Sequence, residues 1–372
     1  MNGKTKISLI ISLSVLLLFS FPASADLKIE STEILDLNVA DFSSPAWSPD
    51  GNAIAYIAMD RSNFNQIFTI KTDGTGLRQV TNVPNKKWGV SWQKEGIFFF
   101  SFDERGIESI FVIQPDGSEI KKLLKESFRQ GRAPWATLPE VGGISLNPVN
   151  QKVLFTSYGE LGLEKIFQVN LDGTGKKMVI NDSARQWSPS WSPDGNSFVF
   201  ISYSENKEQL FTSRADGSEV KQITSDNIKK SDPNWGPDGI LFVSYEQESS
   251  ISKKIILIDP DGTNRTIISG NGFEQISPRW SLDGTKILYE DVYQKESNKV
   301  VLLNLQKPVV PTVIVTTTPT PVKSVERTPG TTETPEKKPE SSLEGVMLTM
   351  LLFIGAIILI MLILLLVSEK KK

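Results

Sequence analysis

A tryptophan closes the same kind of short apolar segment at positions 47, 92, 191, 235 and 280, and its spacing is the tightest constraint in the chain. Neighbouring pairs stand 45, 44 and 45 residues apart, with one gap of 99 between Trp92 and Trp191. That gap has room for a further unit and an insertion. Ile144-Ser145-Leu146-Asn147-Pro148 stands there in place of the Trp signature, with Leu146 as its anchor and Lys152-Val153-Leu154-Phe155-Thr156 behind it. A second marker keeps the same beat: Asp73-Gly74, Asp116-Gly117, Asp172-Gly173, Asp216-Gly217 and Asp261-Gly262 recur at intervals of 43, 56, 44 and 45. Within one unit, Trp191 ends a first strand, Phe198–Ile201 and Gln209–Thr212 form two more, and Val220–Thr224 alternates apolar with polar as a fourth. Asp-Gly suits the tight turns between them, because Gly accepts a positive φ and Asp bonds its own backbone.

One such meander leaves a sheet face bare, so the units must stack. Two markers on one period in the forties, with four strands per period, predict an all-β, six-bladed β-propeller of four-stranded antiparallel blades. The blades fall near residues 43–81, 88–124, 142–180, 187–224, 231–268 and 276–305. The repeated Trp47, Trp92, Trp191, Trp235 and Trp280, with Leu146, are expected as blade anchors, large side chains filling the wedge between neighbours.

Ser44-Pro45-Ala46-Trp47-Ser48-Pro49-Asp50-Gly51 and Ser188-Pro189-Ser190-Trp191-Ser192-Pro193-Asp194-Gly195 resemble the WD-like propeller repeat of the TolB family. Similar repeats occur in tricorn protease and in prolyl-oligopeptidase-type enzymes. The resemblance covers residues 28 to 306 and implies the fold; this scaffold carries unrelated activities. Residues 26–42 leave no room for the separate amino-terminal domain of that family.

The last unit lacks an Asp-Gly turn and a fourth strand. Leu35 precedes Trp47 by the same 12 residues that separate Val80 from Trp92 and Ile223 from Trp235. Residues 28–38 are therefore expected to complete the last blade and remove its open edge. The weaker candidate is Val309–Val315, where Pro311 interrupts the ladder.

Composition bears on chemistry. The chain has no His and no Cys, which removes Ser-His-Asp and Cys-His arrangements, disulfides and His-bound metals. With no nucleophile elbow either, the sequence reads as no enzyme, propeller lyases that lean on His-bound metal included. Asp259-Pro260-Asp261-Gly262 lacks the spacing of a calcium loop, so turn chemistry accounts for the Asp-Gly pairs, and no metal and no cofactor are expected. A net charge of −3 argues against nucleic acid.

The two ends set the expected location. Residues 1–25 read as a signal peptide: Lys4 and Lys6, an apolar run from Ile7 to Phe21, then Ala23-Ser24-Ala25. As a helix that run spans only ~22 Å, short of a hydrocarbon core. Residues 26–306 form the propeller, and 307–343, rich in Pro and Thr, a stalk that cannot pack a core. At ~3.1 Å per residue its stretch from 315 to 342 reaches up to ~87 Å. Residues 345–368 are free of charge and read as a transmembrane helix. Lys370-Lys371-Lys372, in the tail 369–372, fit the cytoplasmic side. The propeller is thus expected outside the membrane on a single-pass anchor, with Asn181 and Asn264 as glycosylation candidates.

Tight Asp-Gly turns occupy one face of the ring. The loops at 59–65, 103–106, 125–141, 181–186, 225–230 and 291–296 vary, and they emerge on the other. Constant turns beside variable loops mark that second face for binding. Trp88, Trp135 and Trp187 fall on it with Lys86, Lys87, Arg132 and Arg185, a composition suited to protein contacts and to sugar stacking. The rival reading caps the core with these Trp. Three functions follow: a surface propeller recognising an envelope protein or a surface glycan; a TolB-like scaffold docking a partner peptide at the channel mouth; and, third, a carboxylate-based carbohydrate-active enzyme, which needs acidic residues facing one another across the channel. A chain ending at Leu343 keeps only the cleaved apolar segment, so it should appear in the medium; recovery in the membrane fraction would show an uncleaved amino-terminal anchor.

Overall fold

The structure, a computed structural model, describes residues 27–306 apart from 38, 40–41, 125–142, 160, 246–252, 269–273 and 293–297. The expected signal peptide, stalk, membrane helix and the alternative closing segment Val309–Val315 all lie outside these residues. Every regular element described is a strand.

After β1 (Ile29–Leu35) the chain folds into β2 (Phe42–Trp47), β3 (Ala53–Met59), β4 (Asn65–Lys71) and β5 (Arg78–Gln79), one antiparallel meander. The plan repeats in β6 (Lys87–Gln93), β7 (Gly96–Phe102), β8 (Glu108–Ile113) and β9 (Lys121–Lys122). It recurs in β10 (Ile144–Leu146), β11 (Lys152–Tyr158), β12 (Glu164–Asn170) and β13 (Lys177–Met178), and again in β14 (Gln186–Trp191), β15 (Ser197–Ser204), β16 (Lys207–Arg214) and β17 (Lys221–Gln222). An eight-stranded sheet takes the rest: β18 (Lys230–Gly236), β19 (Gly239–Tyr245), β20 (Lys253–Ile258), β21 (Thr266–Ile267), β22 (Glu274–Trp280), β23 (Lys286–Val292), β24 (Lys299–Leu305) and β1. Its two halves meet at a single parallel bridge, Lys253 to Glu274.

In that sheet β1 lies antiparallel along the outside of β24, from Ile29 opposite Leu305 to Leu35 opposite Val300. The first strands pack side by side as β2, β6, β10, β14, β18, β22 and back to β2. Alternation along each strand sends neighbouring residues to opposite faces. Phe98 and Phe100 of β7 accordingly join Leu123, Ile144 and Val153 on one side. Ile97 and Phe99 join Ile57, Val80 and Val90 on the other. Leu35, Trp47, Ile54 and Tyr56 meet Leu288, Val300 and Leu302 in a further cluster, which joins the two ends of the series. The anchors Trp47, Leu146, Trp191 and Trp280 are buried, while Trp92 and Trp235 are half-buried against the same clusters.

The second Asp-Gly turn also joins units. A Cβ on Gly217 would collide with the carbonyl oxygen of Val179 in the preceding outer strand, and Gly117, Gly173 and Gly262 stand likewise against Val80, Leu123 and Ile223. Gly74 has Leu35 as its neighbour, at 3.7 Å. Leu35 thus holds toward the first meander the place that Val80 or Ile223 holds toward the next.

Gly217 (φ 92°) and Gly51 (φ 68°) both occupy left-handed backbone, but nothing lies within 4 Å of a Cβ on Gly51. Gly51→Ala should cost only the conformational penalty, about 1 kcal/mol. Gly217→Ala adds the carbonyl overlap and should cost about 3 kcal/mol. Equal denaturant midpoints for the two variants would remove the turn from the contact between units.

Candidate functional site

Two places bring functional side chains together: the channel enclosed by the first strands and the loop face at one of its ends.

The channel owes its shape to a repeated irregularity. Three residues before the Trp, Ser44, Gly89, Ser188, Asp232 and Ser277 take φ values of 51° to 65°. At the same point the pairing with the second strand shifts register. Such a bulge bends the strand and re-aims the side chains that follow. The residue just before the anchor then reaches the next first strand. Ser145 Oγ accepts from the Trp191 N–H at 3.0 Å, Ser190 Oγ from the Trp235 N–H at 3.1 Å, and Asn234 Oδ1 from the Trp280 N–H at 2.7 Å. At the seam between β22 and β2 the pattern changes, and the Trp47 indole N–H donates to the Arg279 carbonyl oxygen at 3.1 Å.

The enclosed cavity measures about 780 Å³ and is walled by small hydroxyl residues and by the anchor indoles. The anchors therefore serve the core and the channel wall together. Its charged residues sit to one side: Asp232 on β18, Glu274 and Arg279 on β22, and Glu290 on β23. The carboxylates come from neighbouring strands, so they do not face one another across the channel.

On the loop face, Phe102, Tyr158, Tyr203 and Tyr245 sit at the same position, at the end of the second strand, in four successive meanders. The Arg185 guanidinium lies 5.7 Å from the Tyr203 ring and 6.0 Å from Trp187, and forks onto the buried Glu164 carboxylate at 2.5 and 2.7 Å. Hydrogen bonding to Glu164 holds its pKa above the ordinary value despite burial. Lys229 and Lys253 both lie over Tyr245, at 5.2 and 5.4 Å, and Lys253 pairs with Glu274 at 2.6 Å. Each ring attracts the cation above it, which holds the two side chains together.

The expected face residues divide. Lys86 is exposed; Arg185 and Trp187 are partly exposed, with Trp187 tilted against Tyr203 at 5.2 Å. Trp135 and Arg132 lie outside the described residues. Trp88 and Lys87 are not on the face, which corrects the sequence reading. Trp88 is 8% exposed and stacks on Phe100 at 5.7 Å within a core cluster. Lys87 is 3% exposed and gives its ammonium to the carbonyls of Asn65, Val83 and Asn85 at 3.1, 2.7 and 2.7 Å. The reason is the neighbours: Phe100 and Phe102 enclose the Trp88 ring, and loop carbonyls surround the Lys87 ammonium. Lys87 has counterparts that the sequence reading missed. Lys165 gathers the carbonyls of Asp182 and Ala184 with the Asp182 carboxylate, and Lys230 the Ile228 carbonyl with Asp226. Each stands at the first or second position of its strand, within reach of the loop beside it. Asn181 and Asn264 are both exposed, and Asn264 Nδ2 donates to Asp259 at 2.7 Å.

Residues 141–256 match the TolB beta propeller domain. An uncharacterized protein of Agrobacterium fabrum is 24% identical over 42% of this chain and 53% of its own length. The uncharacterized peptidase YuxL of Bacillus subtilis is 27% identical over 42% of this chain and 21% of its own. The chain thus spans about half of the first relative and a fifth of the second. The crystal structure of TolB from Acinetobacter baumannii superposes with a TM-score of 0.55 at 18% identity, covering 69% of this chain and 65% of that one. These matches establish a TolB-like propeller fold, all-β and built of four-stranded antiparallel sheets. They also overturn the expectation that the chain is no enzyme, since YuxL and, at 30% identity over 18% of this chain, dipeptidyl-peptidase 5 of Porphyromonas gingivalis are relatives named as peptidases. Missing His and Cys exclude particular sets of catalytic residues; they do not test kinship with enzymes.

Burial pushes the Lys87 ammonium down to about 8 from its ordinary 10.5, against the pull of Asp60. Between these values the unfolded chain holds a proton that the folded chain has released, so stability rises with pH. The stability of the native protein relative to Lys87→Met should therefore increase between pH 7 and pH 10 in denaturant melts. Parallel pH profiles would show that Lys87 titrates normally.

Proposed function

Because the chain carries a TolB-like β-propeller, we propose that it is a six-bladed ring whose loop face binds a partner protein outside the membrane. The single observation that carries this reading is the row of cations set over aromatic rings, Arg185 at Trp187 and Tyr203, and Lys229 and Lys253 at Tyr245. Trp, Tyr and Arg are the residues that dominate protein interfaces when held rigidly. Here they are held from beneath, because the buried ammonium groups of Lys165 and Lys230 tie down the loops beside them. Six blades are supported by the circuit of first strands and by the cluster joining β2 and β3 to β23 and β24. Support for the outside location comes from the sequence, in the leader 1–25, the stalk 307–343 and the apolar run 345–368.

The test is proximity labelling on intact cells with the full chain. Tyr203 lies at the rim and Lys229 is exposed, so Tyr203→Ser with Lys229→Glu should leave the melting temperature in place and abolish labelling of specific neighbours. Ile267→Asp on the exposed outer strand β21 serves as the control and should label as the native chain does. Unchanged labelling by the double variant would move the binding surface elsewhere.

A further inference from the structure

Five of the six first strands place a small side chain before the anchor: Ala46, Ser91, Ser145, Ser190 and Asn234. Three of these accept a Trp N–H from the next strand. Arg279 occupies the same position on β22 and has no acceptor to offer. The seam is bridged instead by its backbone carbonyl, to the Trp47 indole. Its guanidinium is thus released from the structural task that the position performs elsewhere.

Arg279 is partly buried in the channel wall and borders the cavity. Its only hydrogen bond among the described residues runs from Nη1 to the neighbouring Pro278 carbonyl at 2.8 Å. Burial lowers its pKa, opposed by the charges of Asp232 and Glu290, but neither carboxylate pairs with it directly. A guanidinium carries five donors in a planar fork, and one that borders a cavity with most of them unused presents them to a matching acceptor.

We propose that Arg279 is the anchor of a carboxylate-binding site inside the channel. A carboxylate answers the fork with two coplanar oxygens and one negative charge. A phosphate brings more charge and meets stronger repulsion from Asp232, Glu274 and Glu290, which share this side of the wall. Asp232 can accept a hydrogen bond from a donor elsewhere on the ligand, while Ser44 and Ser277 add hydroxyls. The carboxylate can belong to a small acid or to an acidic polypeptide segment entering the channel. This site touches the loop face only through Glu274, the partner of Lys253, and stands without that reading.

The experiment is calorimetric titration of the full-length protein with butyrate, with a short end-capped peptide whose one charge is a single glutamate, and with butyramide as the uncharged counterpart. At least one carboxylate probe binds and butyramide does not; whether butyrate or the peptide binds identifies the source. Arg279→Gln weakens binding at least tenfold at an unchanged melting temperature, and Arg279→Lys falls between. Asp232→Asn removes a nearby negative charge and tightens binding several-fold, a readout independent of how Arg279→Gln folds. Tyr203→Ser with Lys229→Glu binds the probe as the native protein does, so failure of the loop-face reading leaves this one intact. Absence of binding by both carboxylate probes, or equal binding by Arg279→Gln, overturns the proposal.

Discussion

Each sheet in this protein is apolar on both faces, and a sheet of that kind holds its shape only between two others. The second strands show why: alternate residues of β7 feed two different clusters, one shared with the preceding meander and one with the following. A series built this way has no natural end. Burying the outer face of the first meander requires the last, and Leu35, Trp47 and Tyr56 meet Leu288, Val300 and Leu302 for that purpose. The strand that completes the last sheet comes from the other end of the sequence. Stability is therefore a property of the whole circuit, with junctions made of packed side chains, at four of them a Gly pressed against a carbonyl, and at several seams a Trp N–H bonded to a side chain.

The same junctions divide the surface by task. Turns at one end are built from Asp bonding its own loop, as Asp216 does to the Ser218 N–H at 2.9 Å, and they are repeated with little change. Loops at the other end differ in length and composition, yet lysine ammonium groups buried beneath three of them collect their carbonyls. A buried ammonium is costly unless its donors are used, and here loop carbonyls use them. Charge in the channel breaks the repeat altogether, gathering on β18, β22 and β23.

Much of this was legible along the chain. The Trp and Asp-Gly periods located the strands because a four-stranded unit needs its turns at fixed intervals. The twelve-residue offset of Leu35 was a register statement, and Leu35 packs its side chain beside Gly74, where Gly117 meets the Val80 carbonyl. The site was less legible. Trp88 and Trp187 occupy the same place relative to their anchors; one is enclosed by Phe100 and Phe102, while the other borders Arg185 and Tyr203 at the rim. Arg279 carries no sequence motif of its own, and its meaning comes from the position it occupies before the anchor Trp280. Ser145, Ser190 and Asn234 at that position were the available signal, since all three can accept a hydrogen bond and an arginine cannot.

Taken alone, the sequence determined the local structure: which segments are strands, where they turn, and that the units must pack on one another, because period, β-branching and Asp-Gly chemistry all act within a few residues. Tertiary structure decided which faces those residues present. A left-handed residue three places before each Trp shifts the pairing by an amount that no alternation count contains, and whether a lysine reaches water or a cage of carbonyls depends on loops brought to it from another part of the chain.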